Sequence, residues 1–441
     1  MTRLSRRSLF AVGAAAGASL LAGCGGGTPE PEIPPLPGGG TTAGATPAER
    51  AVWRLTGSPL VPPTGSGDLD GLTVAVSDLF AVAGQQIGAG NPTWLGQAPR
   101  ESTTAAALTR LLGAGAALRG LTQTDDLGYG HSGVNDHYGT PPNPAAEQQL
   151  PGGSTSGAAA AVAGGDATAA IGSDTGASVR IPAAYQGLCA FTPTRGAVST
   201  AGLLPLSPTL DTVGWLAGDI ATLARVATAS VPKAAARRLD RAVTSPGVNA
   251  VASADVHAAM TTALAGWKGT GLPALTEQDL DIAALPDWYD AVTTVIGHEA
   301  WKQFGTFVSQ APAAVGGEAR DNLAAAGRVT ESAYTRARTT LDDAAAAVTE
   351  YLGERVLVLP TTATTAPSRT NGGTASDDYR NALRSTGLLT SIATVAGLPT
   401  VTMRLKSATP APVGLCLVAP AGRDLDLLEV ARQVQGSGLV R

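Results

Sequence analysis

The sequence predicts an α/β fold built around a largely buried β-sheet. Short apolar runs rich in valine and leucine alternate with longer segments whose apolar residues recur at helical spacing. Apolar runs of about four to eight residues between turn signals are typical of strands that are covered on both faces. Hydrophobic residues make up 44% of the 441 residues and charged residues only 15%, so the chain has enough apolar surface to cover such a sheet. Strands that alternate with helices indicate the α/β class.

The folded part is predicted to begin at residue 46. Residues 46–49 place Thr, Pro and Glu in the order of an N-cap, a first helical proline and a capping-box glutamate, so a helix is expected through Leu55. In the remainder of the first half, strands are expected at 72–76 and 168–171, and helices at 103–118 and 158–164.

The second half is predicted to be mostly helical from residue 221 to 348, and it shows no internal repeat. A buried strand that stops at Pro360 is expected next, because proline cannot continue a central strand. The remaining elements are helices at 379–396 and 425–435 and strands at 401–405 and 413–418.

The first 24 residues are predicted to be an export signal rather than part of the fold. Three arginines precede residue 8, residues 5–10 resemble a twin-arginine motif, and the apolar run that follows is too short for a good membrane span. Residues 21–24 resemble a lipobox in which Cys24 receives the lipid. The alternative is an ordinary signal peptide cleaved near Ala22.

Residues 25–45 are rich in proline and glycine and are predicted to be a flexible tether, followed by one domain from 46 to 441. Together with the signal, this organisation predicts an exported protein. A lipid on Cys24 would hold it at the outer face of the cytoplasmic membrane.

Charge and cysteine use narrow the expected partners. The net charge is −5, with no basic cluster beyond the first seven residues, so nucleic acid is not an expected partner. Cys189 and Cys416 lie in apolar runs and are predicted to be small buried hydrophobic residues. The four histidines show no metal-ligand spacing, so neither a metal nor another cofactor is expected.

Two glycine-rich segments, 151–157 and 172–182, each contain a candidate functional serine, Ser154 and Ser178. Glycine lets backbone N–H groups turn toward a ligand where a Cβ would block the approach. A run of N–H groups from 175 to 178 is the kind of nest that stabilises an oxyanion. On these residues alone, a phosphate cradle or an ordinary loop remains an alternative.

The same segments resemble the amidase signature. Residues 152–157 and 174–185 match its two serine motifs, and the two serines are 24 positions apart, as the catalytic serines of that family are. Residues 88–94 and 137–141 resemble plant-type indole-3-acetamide amidases, and the likeness covers about residues 46–435. The resemblance implies a mixed β-sheet covered by helices on both faces, within a single amidase-signature domain.

Family members hydrolyse carboxamides with a Ser–cis-Ser–Lys triad, and the resemblance assigns roles by position. It implies that Ser178 is the nucleophile and that Ser154 is the bridging serine. It also implies that Asp174 and Arg180 hold the catalytic residues in place. The implied oxyanion hole consists of the backbone N–H groups of Thr175, Gly176, Ala177 and Ser178.

The family lysine is missing from this sequence. Ser77 stands at its position, and no lysine precedes Lys233. A serine hydroxyl is no base at neutral pH, so the triad is incomplete. The glycine before the family nucleophile is Ala177 here, and a second family lysine is replaced by Leu121.

Two classes of function therefore stay open. The first is a hydrolase of small carboxamides that is slow or uses an unusual base, for which His131 is a candidate because an imidazole can accept a proton near neutral pH. A pocket-lining or exposed loop histidine is the alternative for that residue. The second class is a non-catalytic surface lipoprotein that binds a small amide, a peptide or a protein partner.

Overall fold

A sheet whose inner strands are buried along most of their length forms the centre of the protein. The computed structural model describes residues 45–233, 235–268, 271–370 and 373–441. The strands in these ranges are β1 (Trp53–Val61), β2 (Thr73–Ser77), β3 (Ala117–Thr122), β4 (Ala169–Ser173), β5 (Cys189–Thr192), β6 (Val213–Ala217), β7 (Arg241–Thr244), β8 (Ala274–Glu277), β9 (Val356–Pro360), β10 (Thr400–Arg404) and β11 (Gly414–Val418).

Within the described ranges, these eleven strands form one sheet in the order β1-β3-β2-β4-β6-β5-β10-β11-β9-β7-β8. The sheet is mixed. The strand β2 runs parallel to β3 and β4, whereas each successive pair in the run β4-β6-β5-β10-β11-β9 is antiparallel. The strands β7 and β8 extend the far edge in parallel.

Helices cover both faces of the sheet. They are α1 (Pro47–Val52), α2 (Pro92–Gln97), α3 (Ala106–Gly113), α4 (Ser156–Ala163), α5 (Arg180–Gln186), α6 (Ile220–Ser230), α7 (Pro246–Asn249), α8 (Ala254–Trp267), α9 (Leu285–Gln310), α10 (Gly317–Ala326), α11 (Glu331–Leu352), α12 (Asp377–Ala396) and α13 (Asp424–Gly436). Alternate residues of β4 belong to different core clusters: Ala169 and Ile171 pack in one, and Ala170 packs with α4 in the other. The predicted mixed α/β fold is therefore confirmed.

The element predictions were wrong in three regions. The helix predicted over 103–118 ends at Gly113, and β3 begins at Ala117 because residues from there onward pair with β1 and β2. The capping box at Thr46 and Glu49 is present, but α1 ends at Val52, and β1 follows because residues from Trp53 onward pair with β3. The stretch 221–348, predicted to be mostly helical, also contains the strands β7 and β8, because each has a parallel partner at the sheet edge. Pairing with a distant strand outweighs local helical preference in all three places.

Both predicted buried cysteines, Cys189 and Cys416, lie in the core, and burial raises the pKa of each thiol to about 12. Among the described helices, none is long and apolar enough to cross a membrane.

Candidate active site

The order of three parallel strands brings the candidate site together. Because β3, β2 and β4 are neighbours and run in the same direction, their carboxyl ends lie at one edge of the sheet. Ser77 ends β2, the segment 123–133 follows β3, and the segment 174–178 follows β4. This edge therefore collects Ser77, His131 and Ser178 from three separate stretches of sequence.

The loop of Ser154 is tied to both neighbouring segments. The Gly153–Ser154 peptide bond is cis, as the resemblance to the Ser–cis-Ser–Lys family implies for the bridging serine. The Ser154 carbonyl accepts hydrogen bonds from Thr124 Oγ1 at 2.6 Å and from Asp125 N–H at 3.3 Å. Thr155 N–H donates to the Ser178 carbonyl at 3.2 Å, which joins the two serine loops directly.

A buried carboxylate organises the loop of Ser178. Asp174 accepts the Ala177 N–H at 2.7 Å, the Thr192 hydroxyl at 2.9 Å, and two hydrogen bonds from Arg180. Burial acts to raise the pKa of Asp174, but the Arg180 charge and these hydrogen bonds outweigh it and hold the pKa below its ordinary value. Asp174 is therefore charged at neutral pH and holds the loop in place.

The backbone N–H groups of this loop differ in availability. The Ala177 N–H is engaged by Asp174. Among the described residues, the N–H groups of Thr175, Gly176 and Ser178 have no hydrogen bond acceptor. These three groups remain available for an oxyanion, whereas the fourth N–H of the predicted hole, that of Ala177, is occupied.

Ser77 occupies an unusual position for a hydroxyl group. It is fully buried and lies opposite Thr122 of β3. Within the described part of the chain, its Oγ has no hydrogen bond partner, and neither has the buried Oγ1 of Thr155. A buried polar group usually has a hydrogen bond partner, so two unpaired buried hydroxyls beside the serine loops are unusual.

His131 lies against the Ser178 loop. Its Nε2 is 3.0 Å from the Gly176 carbonyl oxygen, and its Nδ1 is 4.0 Å from Glu318 Oε1. A carbonyl oxygen can only accept a hydrogen bond, so Nε2 carries the proton in this arrangement. His131 and Ser178 both line a cavity of about 280 Å³.

The cavity is mostly apolar, and Glu318 is the one acidic side chain among its described walls. The walls also include Tyr129, Tyr289, Ile296 and Leu383. Cavities of roughly this size, with apolar walls and few polar groups, are typical of small-molecule sites.

Comparison with known proteins agrees with this geometry. A family model described as Amidase matches residues 63–269. Amidase 1 of Arabidopsis thaliana is 32% identical over 410 residues, a match that covers 86% of this chain and 96% of that protein. The chain belongs to the amidase family.

A solved structure supports the same assignment. A solved crystal structure of an amidase aligns with a TM-score of 0.74 and 27% sequence identity, covering 84% of this chain and 85% of that one. The amidase-signature resemblance of the two serine loops is thus confirmed at the level of the family.

The predicted localisation is wrong. Outer envelope protein 64, chloroplastic, of Arabidopsis thaliana is 44% identical over 165 residues, covering 37% of this chain and 28% of that protein. Relatives of this domain thus include a protein of the chloroplast outer envelope, which is not the location that the signal prediction gives. The predicted signal at 1–24, with its Cys24, and the tether up to residue 44 lie outside the described residues.

Two residues at the amidase site were not predicted from the sequence. Asp125 is fully buried, and it accepts hydrogen bonds from Gly133 N–H at 3.0 Å and Ser156 Oγ at 3.3 Å. Burial and the nearby charge of Glu318 raise the pKa of Asp125 to about 8. The position of Asp125 just after β3 could have indicated a site residue. Glu318 lies in α10, and no neighbouring sequence feature indicates that it belongs to the site.

Proposed function

We propose that this protein hydrolyses small carboxamides through Ser178, with slow turnover because Ser77 replaces the family lysine. The observation that carries the proposal is the junction of the two serine loops beside a ligand-sized cavity. The Thr155 N–H joins them by donating a hydrogen bond of 3.2 Å to the Ser178 carbonyl oxygen.

The proposed reaction is acyl transfer to a serine. Ser178 Oγ attacks the amide carbon, and the carbonyl oxygen becomes an oxyanion facing the N–H groups of Gly176 and Ser178. The Ser178 proton passes to Ser154 Oγ, whose own proton must go to water or another base. Protonation of the amide nitrogen releases ammonia or an amine, and water then hydrolyses the acyl ester on Ser178.

The missing lysine sets the expected rate. A positioned general base contributes about 10²- to 10⁴-fold to such reactions. A site that keeps its oxyanion donors and its substrate contacts still retains roughly 10³- to 10⁴-fold catalysis over water. We therefore expect measurable but slow hydrolysis.

The substrate class follows from the cavity and from the resemblance together. Tyr129 and Tyr289 supply aromatic walls, and Ile296 and Leu383 supply aliphatic ones. The likeness of residues 88–94 and 137–141 to plant-type indole-3-acetamide amidases supports an amide of arylacetamide size. Phenylacetamide and indole-3-acetamide are therefore the first substrates to test.

A second function is favoured by the state of Ser77. Its hydroxyl is fully buried and, as far as the described residues show, without a hydrogen bond partner, so no proton acceptor replaces the lysine at that position. The alternative is a protein that binds a small amide in the cavity without turning it over.

The test is the intact mass of the full chain after incubation with a fluorophosphonate, with Ser178→Ala as the control. A mass increase that the control lacks would support an activated Ser178. Ammonia release from phenylacetamide would then establish hydrolysis. Binding of the amide with neither labelling nor ammonia release would contradict the proposal and favour the non-catalytic function.

A further inference from the structure

His131 contacts both serine loops at once. Its backbone carbonyl accepts the Gly153 N–H at 2.9 Å, next to Ser154. Its ring donates from Nε2 to the Gly176 carbonyl at 3.0 Å, two residues before Ser178. His131 therefore connects the loop of the bridging serine to the loop of the nucleophile through two separate groups.

The peptide unit between Gly176 and Ala177 is held from both ends. His131 Nε2 binds its carbonyl oxygen, and Asp174 Oδ1 accepts its N–H at 2.7 Å. The carbonyl and N–H of one trans peptide point in opposite directions, so two contacts on opposite sides fix the plane of the peptide. Ala177 has a φ of +88°, a conformation that a residue with a side chain adopts only when its surroundings hold it there.

The fixed Gly176–Ala177 peptide also determines where the neighbouring oxyanion donors point. Rotation of the Gly176–Ala177 peptide would turn the adjoining N–H groups of Gly176 and Ser178, because all three peptides share the same backbone. Donors for an oxyanion contribute only when they are aimed in advance at the developing charge. Fixing the peptide plane therefore fixes the donors.

We propose that His131 is a positioning residue that orients the oxyanion donors and holds the two serine loops together. It is not the proton acceptor, because its Nε2 proton is committed to the Gly176 carbonyl and its Nδ1 faces Glu318. This inference rests on the proposed hydrolase function of Ser178.

Glu318 in turn places the histidine. Its Oε2 accepts the His131 backbone N–H at 3.2 Å and the Tyr379 hydroxyl at 2.8 Å. The carboxylate thus links α10 and α12 to the segment that carries His131. The ring is oriented by groups from several parts of the fold, as expected for a residue that positions others.

The decisive experiment compares His131→Gln with His131→Met. A glutamine places an amide N–H near the former Nε2 but cannot act as a base, whereas methionine has a similar length and no donor. We expect His131→Gln to keep the rate of fluorophosphonate labelling of Ser178 within about threefold of wild type, and His131→Met to lose at least about tenfold. His257→Gln, whose ring contacts Asn249 instead, is the matched control.

Equal losses in the glutamine and methionine variants would overturn the inference and make His131 a base. Wild-type rates in both variants would overturn it as well, because the ring would then position nothing. If His131→Met does not fold, ¹⁵N NMR spectra of the wild type show which ring nitrogen of neutral His131 carries the proton. The signal that is missing from His131→Gln identifies the residue. A proton on Nε2 is expected, and one on Nδ1 would refute the assignment.

Failure of the proposed function gives a different result. Absence of Ser178 labelling in the wild type would remove the hydrolase proposal while leaving the ring tautomer measurable. The labelling series would then be repeated in a Ser77→Lys background. If labelling in that background is kept by His131→Gln and lost by His131→Met, the positioning role is still supported. If the two variants are labelled equally fast, the inference is overturned.

Discussion

Arg180 and Asp174 form a buried ion pair beside the nucleophile loop, with Arg180 Nε 3.0 Å from Oδ2 and Nη2 3.1 Å from Oδ1. The same carboxylate accepts the Ala177 N–H, so the pair connects the loop to the fold. Arg180 also donates to the Thr390 carbonyl and to the Thr394 hydroxyl of α12. One guanidinium thus joins the site to a distant helix.

Arg180→Met is expected to destabilise the protein by about 3–5 kcal/mol, because it leaves the Asp174 charge buried without its partner. Guanidinium chloride unfolding measures the change. Arg432→Met is the control, since Arg432 and Glu429 are both more than half exposed and 3.5 Å apart. Exposed pairs contribute about 0–1 kcal/mol, so comparable losses in the two variants would contradict the role given to Arg180.

Asp125 makes stability depend on pH. Its folded-state pKa of about 8 is higher than the ordinary 3.8, so the folded protein holds this proton more tightly than the unfolded chain does. The resulting stabilisation is complete below about pH 4 and is lost as the pH rises through about 8. Asparagine does not titrate and removes this dependence.

Between pH 5 and pH 8, wild type is therefore expected to lose at least about 2 kcal/mol more stability than Asp125→Asn does. Denaturant unfolding at several pH values gives the comparison. Burial also raises the pKa of Asp78 to about 6, but that residue is present in both proteins and its effect cancels. Parallel stability curves for the two proteins would show that Asp125 ionises normally in the folded state.

The sequence was sufficient to locate the serine loops but not everything around them. Ser154 and Ser178 were singled out because each lies in a glycine-rich turn, and the resemblance to the amidase signature supplied their roles. The strand β2 was also predicted, as the β-branched run 72–76. These features depend on residues that are close together in the sequence.

Other features depend on partners that are distant in the chain. The first three residues of β1, 53–55, were predicted as helix because the capping box is local and the pairing with β3 is not. Glu318 reaches the site from α10, almost 190 residues after His131, and nothing near it in sequence indicates a site residue. Tertiary packing, rather than local pattern, determined both.

Gly153 leaves room for a buried carboxyl group. A Cβ at this position would overlap both side-chain oxygens of Asp125. Asp125 is itself held by Gly133 N–H and Ser156 Oγ, so it cannot move aside without losing those hydrogen bonds. Gly153→Ala is expected to cost about 1–3 kcal/mol and to slow Ser178 labelling, because overpacking displaces the Ser154 loop.

Gly436→Ala is the control for Gly153→Ala. Gly436 is the last residue of α13, and a Cβ there meets no described atom within 4 Å. Alanine favours a helix over glycine by up to about 1 kcal/mol, so this variant should be neutral or slightly more stable. Unfolding curves and labelling rates are measured for both. Normal labelling in a folded Gly153→Ala would show that the Ser154 loop tolerates the displacement.

Ser77→Lys tests whether the base is the only missing part of the amidase site. Ser77 lies at the carboxyl end of β2, at the same sheet edge as the Ser154 and Ser178 loops. A neutral amine there would accept the proton relayed by Ser154, and a base of this kind contributes about 10²- to 10⁴-fold. We expect a gain of that order in amide hydrolysis and in fluorophosphonate labelling.

Ser77→Met separates the effect of the amine from that of filling the space. Methionine is similar to lysine in length but has no basic group, so it should bring no gain. The gain from lysine should also fall at low pH, because a protonated amine cannot accept the relayed proton. Equal rates in the lysine and methionine variants, with both folded, would mean that the serine loops are no longer arranged for catalysis. The cavity would then be better explained as a binding site.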